Sequence, residues 1–310
     1  MQKKFISYLF LFFIPVVLGY LAMEYATRSM DTSYKRNEQY LKESSKEIET
    51  LVLGSSHMRS AVNVGLLKGP AINLASGNQH HDTDFKLLKG MIERLPNLKT
   101  VVIEASYSHF EYPHNGKNWW KHSYFLKYYD INTFERPTYF KDRLVYRANA
   151  PLLSERLYNY YLTKDTPAAF TAFGFNTNNY FGRFKTLNYN EDSIAVSNFR
   201  INTVPNLKVF STNTSLFYEL LEYCKEKNLN FIICTTPTYK TYLPKRNEAI
   251  LKRRDSIFRE IQSRFSDIQF LEKEADTINY NVRDYWNQSH LNPDGATKFT
   301  AALQQVLNDL

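Results

Sequence analysis

Two stretches near opposite ends of the chain hold residue types that could act together on an acyl group. In the first, Leu51–Asn63 (LVLGSSHMRSAVN), an apolar run leads into Gly54-Ser55-Ser56-His57 and then into residues able to form a helix. A buried strand ending in a small-residue turn before a helix is how an α/β enzyme presents a nucleophile. The serine oxygen stands at the carboxyl end of the strand, and the first N–H groups of the helix point at whatever reacts there. In the second stretch, Trp286–Ala296 (WNQSHLNPDGA), His290 comes just before a final helix opened by Pro293, which brings it over the same strand ends. A serine used in this way needs a base, a group that orients the base, and N–H donors for the developing oxyanion. Taken alone, either stretch reads more simply as a capped turn.

Together the two stretches resemble the first and last sequence blocks of the SGNH (GDSL-type) hydrolase superfamily. Those blocks read Gly-Asp-Ser or Gly-Ser-Ser, and Asp-x-x-His-Leu-Asn-x-x-Gly. The resemblance implies that Ser56 is the nucleophile and His290 the base. It also implies that the N–H of Gly77, after the second strand, joins that of Ser56 in an oxyanion hole. The chain departs from the family at two places. Three residues before His290 the family has Asp and this chain has Asn287, which can accept the imidazole N–H but brings no charge. Three arrangements are open: a Ser–His dyad with Asn287 as orienter, a triad charged by Asp284, and an impaired site. The family's third oxyanion donor is an Asn in a Gly-x-Asn-Asp motif, where this chain reads Glu104-Ala105-Ser106-Tyr107-Ser108. Ser106 and Ser108 are both candidates to replace it.

The chain looks most like a subgroup of membrane-anchored SGNH-like proteins of bacterial envelope pathways. These include the alginate O-acetylation proteins and the protein for D-alanylation of lipoteichoic acid. That likeness covers the amino-terminal apolar segment and residues 49–105 and 211–310. It implies acyl transfer to or from a cell-envelope glycan through an acyl-serine, beside a multi-spanning membrane acyltransferase as partner. A non-catalytic adaptor that binds glycan or scaffolds such a complex is the rival expectation, motivated by Asn287.

Other residues are candidates for contact with substrate. His57 is a second imidazole beside the serine, placed to shape the pocket or touch substrate. Trp119 and Trp120 could form platforms for sugar rings, with Lys117 and Lys121 nearby for an anionic polymer. His80-His81 lacks convergent carboxylates at ligand spacing, so neither a metal nor another cofactor is expected. Cys224 and Cys234 read as buried thiols. The net charge of +8 is spread among acidic residues and accompanies no nucleic-acid motif, which argues against a nucleic-acid partner.

The elements that must hold these residues can be read from patterning. Phe5–Met23 is 19 residues without a charge, close to the ~20 that a helix needs to cross a bilayer. Residues 1–30 are therefore expected to be an anchor, with a cytoplasmic start and the large domain outside the membrane. The resemblance implies that this is a bacterial inner (cytoplasmic) membrane, with the domain periplasmic or otherwise extracytoplasmic. Residues 31–48 read as a stalk, and 49–310 as the main domain. Apolar runs at Leu51, Ala71–Ala75, Thr100–Ala105, Phe231–Cys234 and Ile268–Leu271 predict five strands. Helices are predicted over Met58–Leu67, Asp82–Leu95, Asn213–Lys227, Arg246–Phe265 and Pro293–Leu310. That alternation predicts a three-layer α/β/α sandwich with a mostly parallel, flavodoxin-like sheet. The aromatic-rich stretch 106–210 breaks the pattern and is expected to insert over the carboxyl ends of the strands.

Overall fold

The apolar runs pair into one sheet in the computed structural model, which describes residues 2–164 and 168–310. Its strands are β1 (Thr50–Val52), β2 (Ala71–Asn73), β3 (Thr100–Glu104), β4 (Asn230–Thr235) and β5 (Gln269–Glu272). They lie in the order β2-β1-β3-β4-β5, every neighbouring pair parallel. This is the doubly wound order, in which the direction of winding reverses between β1 and β3. The crevice outside the carboxyl ends of those two strands is where such sheets bind ligands.

In chain order the helices are α1 (Gln2–Ser29), α2 (Ser33–Ser44), α3 (Ser56–Ala61) and α4 (His81–Met91). The stretch between β3 and β4 adds the short helices α5 (His122–Tyr128), α6 (Val145–Ala148), α7 (Ala150–Tyr158), α8 (Arg183–Thr186) and α9 (Glu191–Ala195). After these come α10 (Leu207–Glu226), α11 (Glu248–Arg264) and α12 (Pro293–Asn308). Alternation along each strand sends successive side chains to opposite faces. Val101 and Ile103 join α4, α10 and α11 in one cluster, while Val102 joins α3 and α12 in another. The three layers follow directly. Full burial of each such Val or Ile is worth roughly 1.5–3 kcal/mol.

Residues 31–48 are not a stalk. They hold α2, whose N-cap Thr32 accepts from Lys35 N–H and which buries Tyr34, Asn37 and Leu41 against the domain. Asn37 Nδ2 donates to the carbonyl of Asn73 at 2.8 Å, at the end of edge strand β2. The last turns of α1 are docked as well. Buried Glu24 accepts the N–H groups of Val145 (2.9 Å) and Tyr146 (2.7 Å), and Arg28 donates to the carbonyl of Arg143. The exposed part of α1 belongs to a helix, Lys4–Ser29, long and apolar enough to cross a membrane.

The aromatic residues of the insertion largely pack it down. Tyr124, Phe125, Tyr128 and Tyr129 from α5 and its end surround Tyr34 of α2 in a buried ring cluster.

Candidate functional site

Gly54 explains how β1 delivers a serine. Its φ of +134° is open to glycine, and a Cβ there would stand 2.8 Å from Glu104 Cβ and 2.9 Å from Met58 Cγ. The chain turns at that point, and Ser55 caps α3 by accepting the N–H of His57 at 3.2 Å. Ser56 is thus the first residue of α3.

His290 is delivered by a small antiparallel hairpin, β6 (Tyr285–Asn287) and β7 (His290–Leu291), in which Asn287 faces His290. Asn287 Oδ1 fixes the turn by accepting the N–H groups of Ser289 and His290, both at 2.9 Å. The same oxygen lies 3.1 Å from His290 Nδ1, and His290 Nε2 lies 2.8 Å from Ser56 Oγ. With the ring proton on Nδ1, donated to Asn287, Nε2 is left to accept from the serine hydroxyl. Ser289 Oγ, 3.0 Å from Nδ1, is a second neighbour of that nitrogen. Burial holds the imidazole well below its ordinary pKa, reinforced by His57 and Arg59 and opposed by Glu104. The ring is therefore neutral at pH 7.

Behind the hairpin, Asn292 caps α12 through the N–H groups of Asp294 and Gly295, with Pro293 in the first turn. A Cβ at Gly295 would lie 2.3 Å from the Asp284 carbonyl oxygen, so glycine permits the close approach of helix and hairpin. The arrangement in which Asp284 charges His290 is overturned. Its carboxylate accepts Asn281 N–H at 2.7 Å within its own turn and the Lys298 ammonium of α12 at 2.7 Å, which occupies it away from His290 Nδ1.

Gly77 lies beside the serine: a Cβ built on it would be 3.8 Å from Ser56 Cβ. Among the described residues the N–H groups of Ser56 and Gly77 have no acceptor, which leaves both available to an oxyanion. Ser106 is not a free donor, because its hydroxyl donates to Glu104 Oε1 at 2.6 Å. Ser108 sits at the start of the 3₁₀ turn His109–Glu111.

The residue that sequence reasoning passed over is Glu104, fully buried at the end of β3. Its carboxylate accepts Ser55 N–H at 2.8 Å and the Ser106 hydroxyl, lies 2.9 Å from His57 Nδ1, and lies 3.5 Å from His109 Nδ1. Burial alone would raise its pKa, but His109 and His57 outweigh that and hold it well below the usual carboxylate range. His57 is thereby braced against Glu104, with its ring edge-on to His290 at a centroid distance of 4.6 Å. An ionisable residue closing the apolar run Thr100–Ile103 was the available signal.

Asp84, buried on α4, accepts from Gln79 Nε2 at 2.6 Å, and burial pushes its carboxyl up to about 7. The folded protein thus keeps a proton there that the unfolded chain releases near pH 4, so this group makes stability fall between about pH 4 and 7. Asp84→Asn keeps an acceptor for Gln79 and is expected to flatten that fall. Urea midpoints at about pH 5 and about pH 7.5 should then differ less than in the parent.

Trp119 and Trp120 are half-buried, packed edge-on against His122 (5.3 Å) and Tyr124 (5.0 Å) respectively. Both flank the ammonium of Lys121, at 5.6 and 5.5 Å from the ring centroids. Lys121 is itself buried against the site, donating to Ser76 Oγ at 3.0 Å and to the carbonyl of Gly77.

Fold and site together define a parallel α/β protein that carries a hydroxyl–imidazole pair at the switch point of its sheet. No protein-family model and no curated protein matches the chain. Among solved structures it is similar to a candidate acylhydrolase from Bacteroides fragilis NCTC 9343. The identity is 11% and the TM-score 0.41, over 87% of this chain and 95% of that one. It is likewise similar to a GDSL-like lipase from Bacteroides thetaiotaomicron VPI-5482, at 11% identity and a TM-score of 0.41, over 89% of this chain and 98% of that one.

Proposed function

We propose that the protein is an SGNH-type serine acyl-transfer enzyme with Ser56 as nucleophile and His290 as base. The observation that carries this is the 2.8 Å approach of His290 Nε2 to Ser56 Oγ, between residues 234 positions apart, with Nδ1 held by Asn287. Ser56 Oγ attacks the carbonyl carbon of an acyl ester while its proton passes to His290 Nε2. The oxyanion forms against the N–H groups of Ser56 and Gly77. Collapse breaks the ester C–O bond, and His290 returns the proton to the departing alcohol, leaving acyl-Ser56. A second hydroxyl, from a glycan or from water, then gives its proton to His290 and takes the acyl group as the acyl–Oγ bond breaks, and His290 passes that proton to Ser56 Oγ.

The apolar reach of α1 supports work at a membrane. The placing of the domain outside it and an envelope glycan as acyl acceptor follow the resemblance to envelope acyl-transfer proteins. A multi-spanning acyltransferase that supplies the acyl group fits the same reading. The uncharged Asn287 favours one rival, an adaptor that keeps the fold without the chemistry.

The deciding experiment is intact-mass spectrometry of the full-length protein in detergent after treatment with a fluorophosphonate. The full chain is required because Glu24 and Arg28 bind the domain. A single adduct is expected, absent from Ser56→Ala and slowed in His290→Ala. No adduct over hours on folded protein overturns the enzyme in favour of the adaptor.

A further inference from the structure

Lys121 lies almost wholly buried, in a place where lysine is seldom found without a counter-ion. Two of its three protons are used, by Ser76 Oγ and the Gly77 carbonyl, and both acceptors are neutral. Ser76 Oγ is held in turn by the hydroxyl of Tyr34 from α2. The ammonium is also close to the chemistry. A point in the position of a Cβ on Gly77 is 3.2 Å from Lys121 Nζ and 3.8 Å from Ser56 Cβ.

Two guanidinium groups share its surroundings. Arg59 stands on α3, one turn beyond Ser56, and Arg156 of α7 lies 5.6 Å from the centroid of the Trp120 ring. Both repel the Lys121 charge and help burial to depress its pKa. Among the described residues none of the three makes an ion pair with Asp or Glu, although most arginines near the domain's other surfaces do. Arg59 also lines a cleft of about 140 Å³ with Ser60, Phe170, Phe175, Asn176 and Pro293, directly beside the serine's helix. Lys121 is a buried charge without a carboxylate, with two exposed guanidinium groups of like sign acting on it, and this costs free energy unless an anion arrives to balance it.

We propose that the substrate handled at Ser56 carries an anionic group, a phosphate or a carboxylate, that seats against Lys121, Arg59 and Arg156 beside Trp120. The proposal rests on the reading of Ser56 as an acyl-transfer nucleophile for its reaction, but not for its binding. The third proton of Lys121 and the two unpaired guanidinium groups supply the donors. Trp120 offers a flat apolar face to the sugar or chain that bears the anion.

The test compares acetyl esters of glucose, glucuronate and glucose 6-phosphate as substrates of the full-length protein in detergent. The anionic esters are expected to be cleaved with a kcat/KM about 10- to 100-fold above the neutral one. That ratio should fall toward one in Arg156→Gln and Arg59→Gln, and in high salt. Both variants change side chains on the surface, so folding is not at stake. Whichever charged ester leads identifies phosphate or carboxylate as the group recognised. Equal rates on all three esters overturn the proposal, and so does a preference that both variants retain. A separate arm measures binding of glucose 6-phosphate and of glucuronate to Ser56→Ala by calorimetry. Binding lost in the Ser56→Ala, Arg156→Gln double variant upholds the anion site even if no ester is ever cleaved. Absence of binding with rapid cleavage of neutral esters sinks the anion site and leaves the nucleophile standing.

Discussion

Asn287→Asp is expected to speed ester cleavage at Ser56 by about 10- to 10³-fold and to move the acid limb of the pH–rate profile upward. Among the described residues Asn287 engages its partners through Oδ1, which faces Ser289 N–H, Ser289 Oγ, His290 N–H and His290 Nδ1. An aspartate keeps each of those acceptor contacts and adds the charge that the parent lacks. Burial, with His57 and Arg59, holds His290 well below 6.5, so the parent imidazole is a weak proton acceptor and resists becoming imidazolium. The neutral ring is the active form. Activity is therefore lost as pH falls through the His290 pKa, and in the parent that limb lies far on the acid side. A carboxylate at 3.1 Å from Nδ1 raises this pKa, strengthens the base and carries the limb toward neutrality. Stopped-flow or plate-based rates of acetyl ester hydrolysis over pH 4 to about 8 would read both effects. An unchanged limb and rate would mean that Asn287 only braces the hairpin.

Glu104→Gln is expected to cost about 3–5 kcal/mol of stability and roughly 10²-fold in rate. The carboxylate is fully buried and gathers Ser55 N–H, His57, Ser106 and His109 around one charge. Glutamine keeps one acceptor oxygen and turns an NH₂ toward groups that are themselves donors. The stability loss carries a pH signature. Because the folded carboxyl is held below its ordinary value, its contribution is present above the unfolded pKa and is lost as pH falls through the folded one. The variant should therefore lose stability at neutral pH and approach the parent in acid. A urea midpoint at neutral pH equal to the parent's would show that Glu104 is not the organiser of this turn.

The parts of the fold governed by local apolar period were legible. Thr100–Ala105, a β-branched run, reads as a buried strand and is β3, and the apolar run at Leu51 marks β1 on the other side of the crevice. Helix α10 begins at Leu207 rather than at Asn213, because Asn206 caps it through Val209 N–H while its first turns carry Ser and Thr that mask the pattern. The stalk was misread because α2 buries Tyr34, Asn37 and Leu41 at helical spacing amid charges, and its central buried residue is polar. Asp284 failed as a charge donor for a reason no spacing reveals: Lys298, on the last helix, holds its carboxylate. Ser56, Gly77 and His290 do meet, but the roles of Glu104 and Arg156 depend on contacts between segments far apart in sequence. No periodicity encodes those contacts.

The docking of α1 sets how the domain would search for its substrate. Residues 4–19 stand exposed, a helical length of about 24 Å, and the next turns are clamped to the domain by Glu24 and Arg28. A globule on a flexible string samples a volume that grows with linker length. A globule bolted to its own helix has no such volume: with that helix seated in a bilayer, Ser56 would ride at one altitude and sweep a plane by lateral diffusion. Reach would then be a property of the substrate. An acyl group borne on a chain long enough to meet that altitude would be processed, and one held closer to the lipid or beyond it would pass untouched.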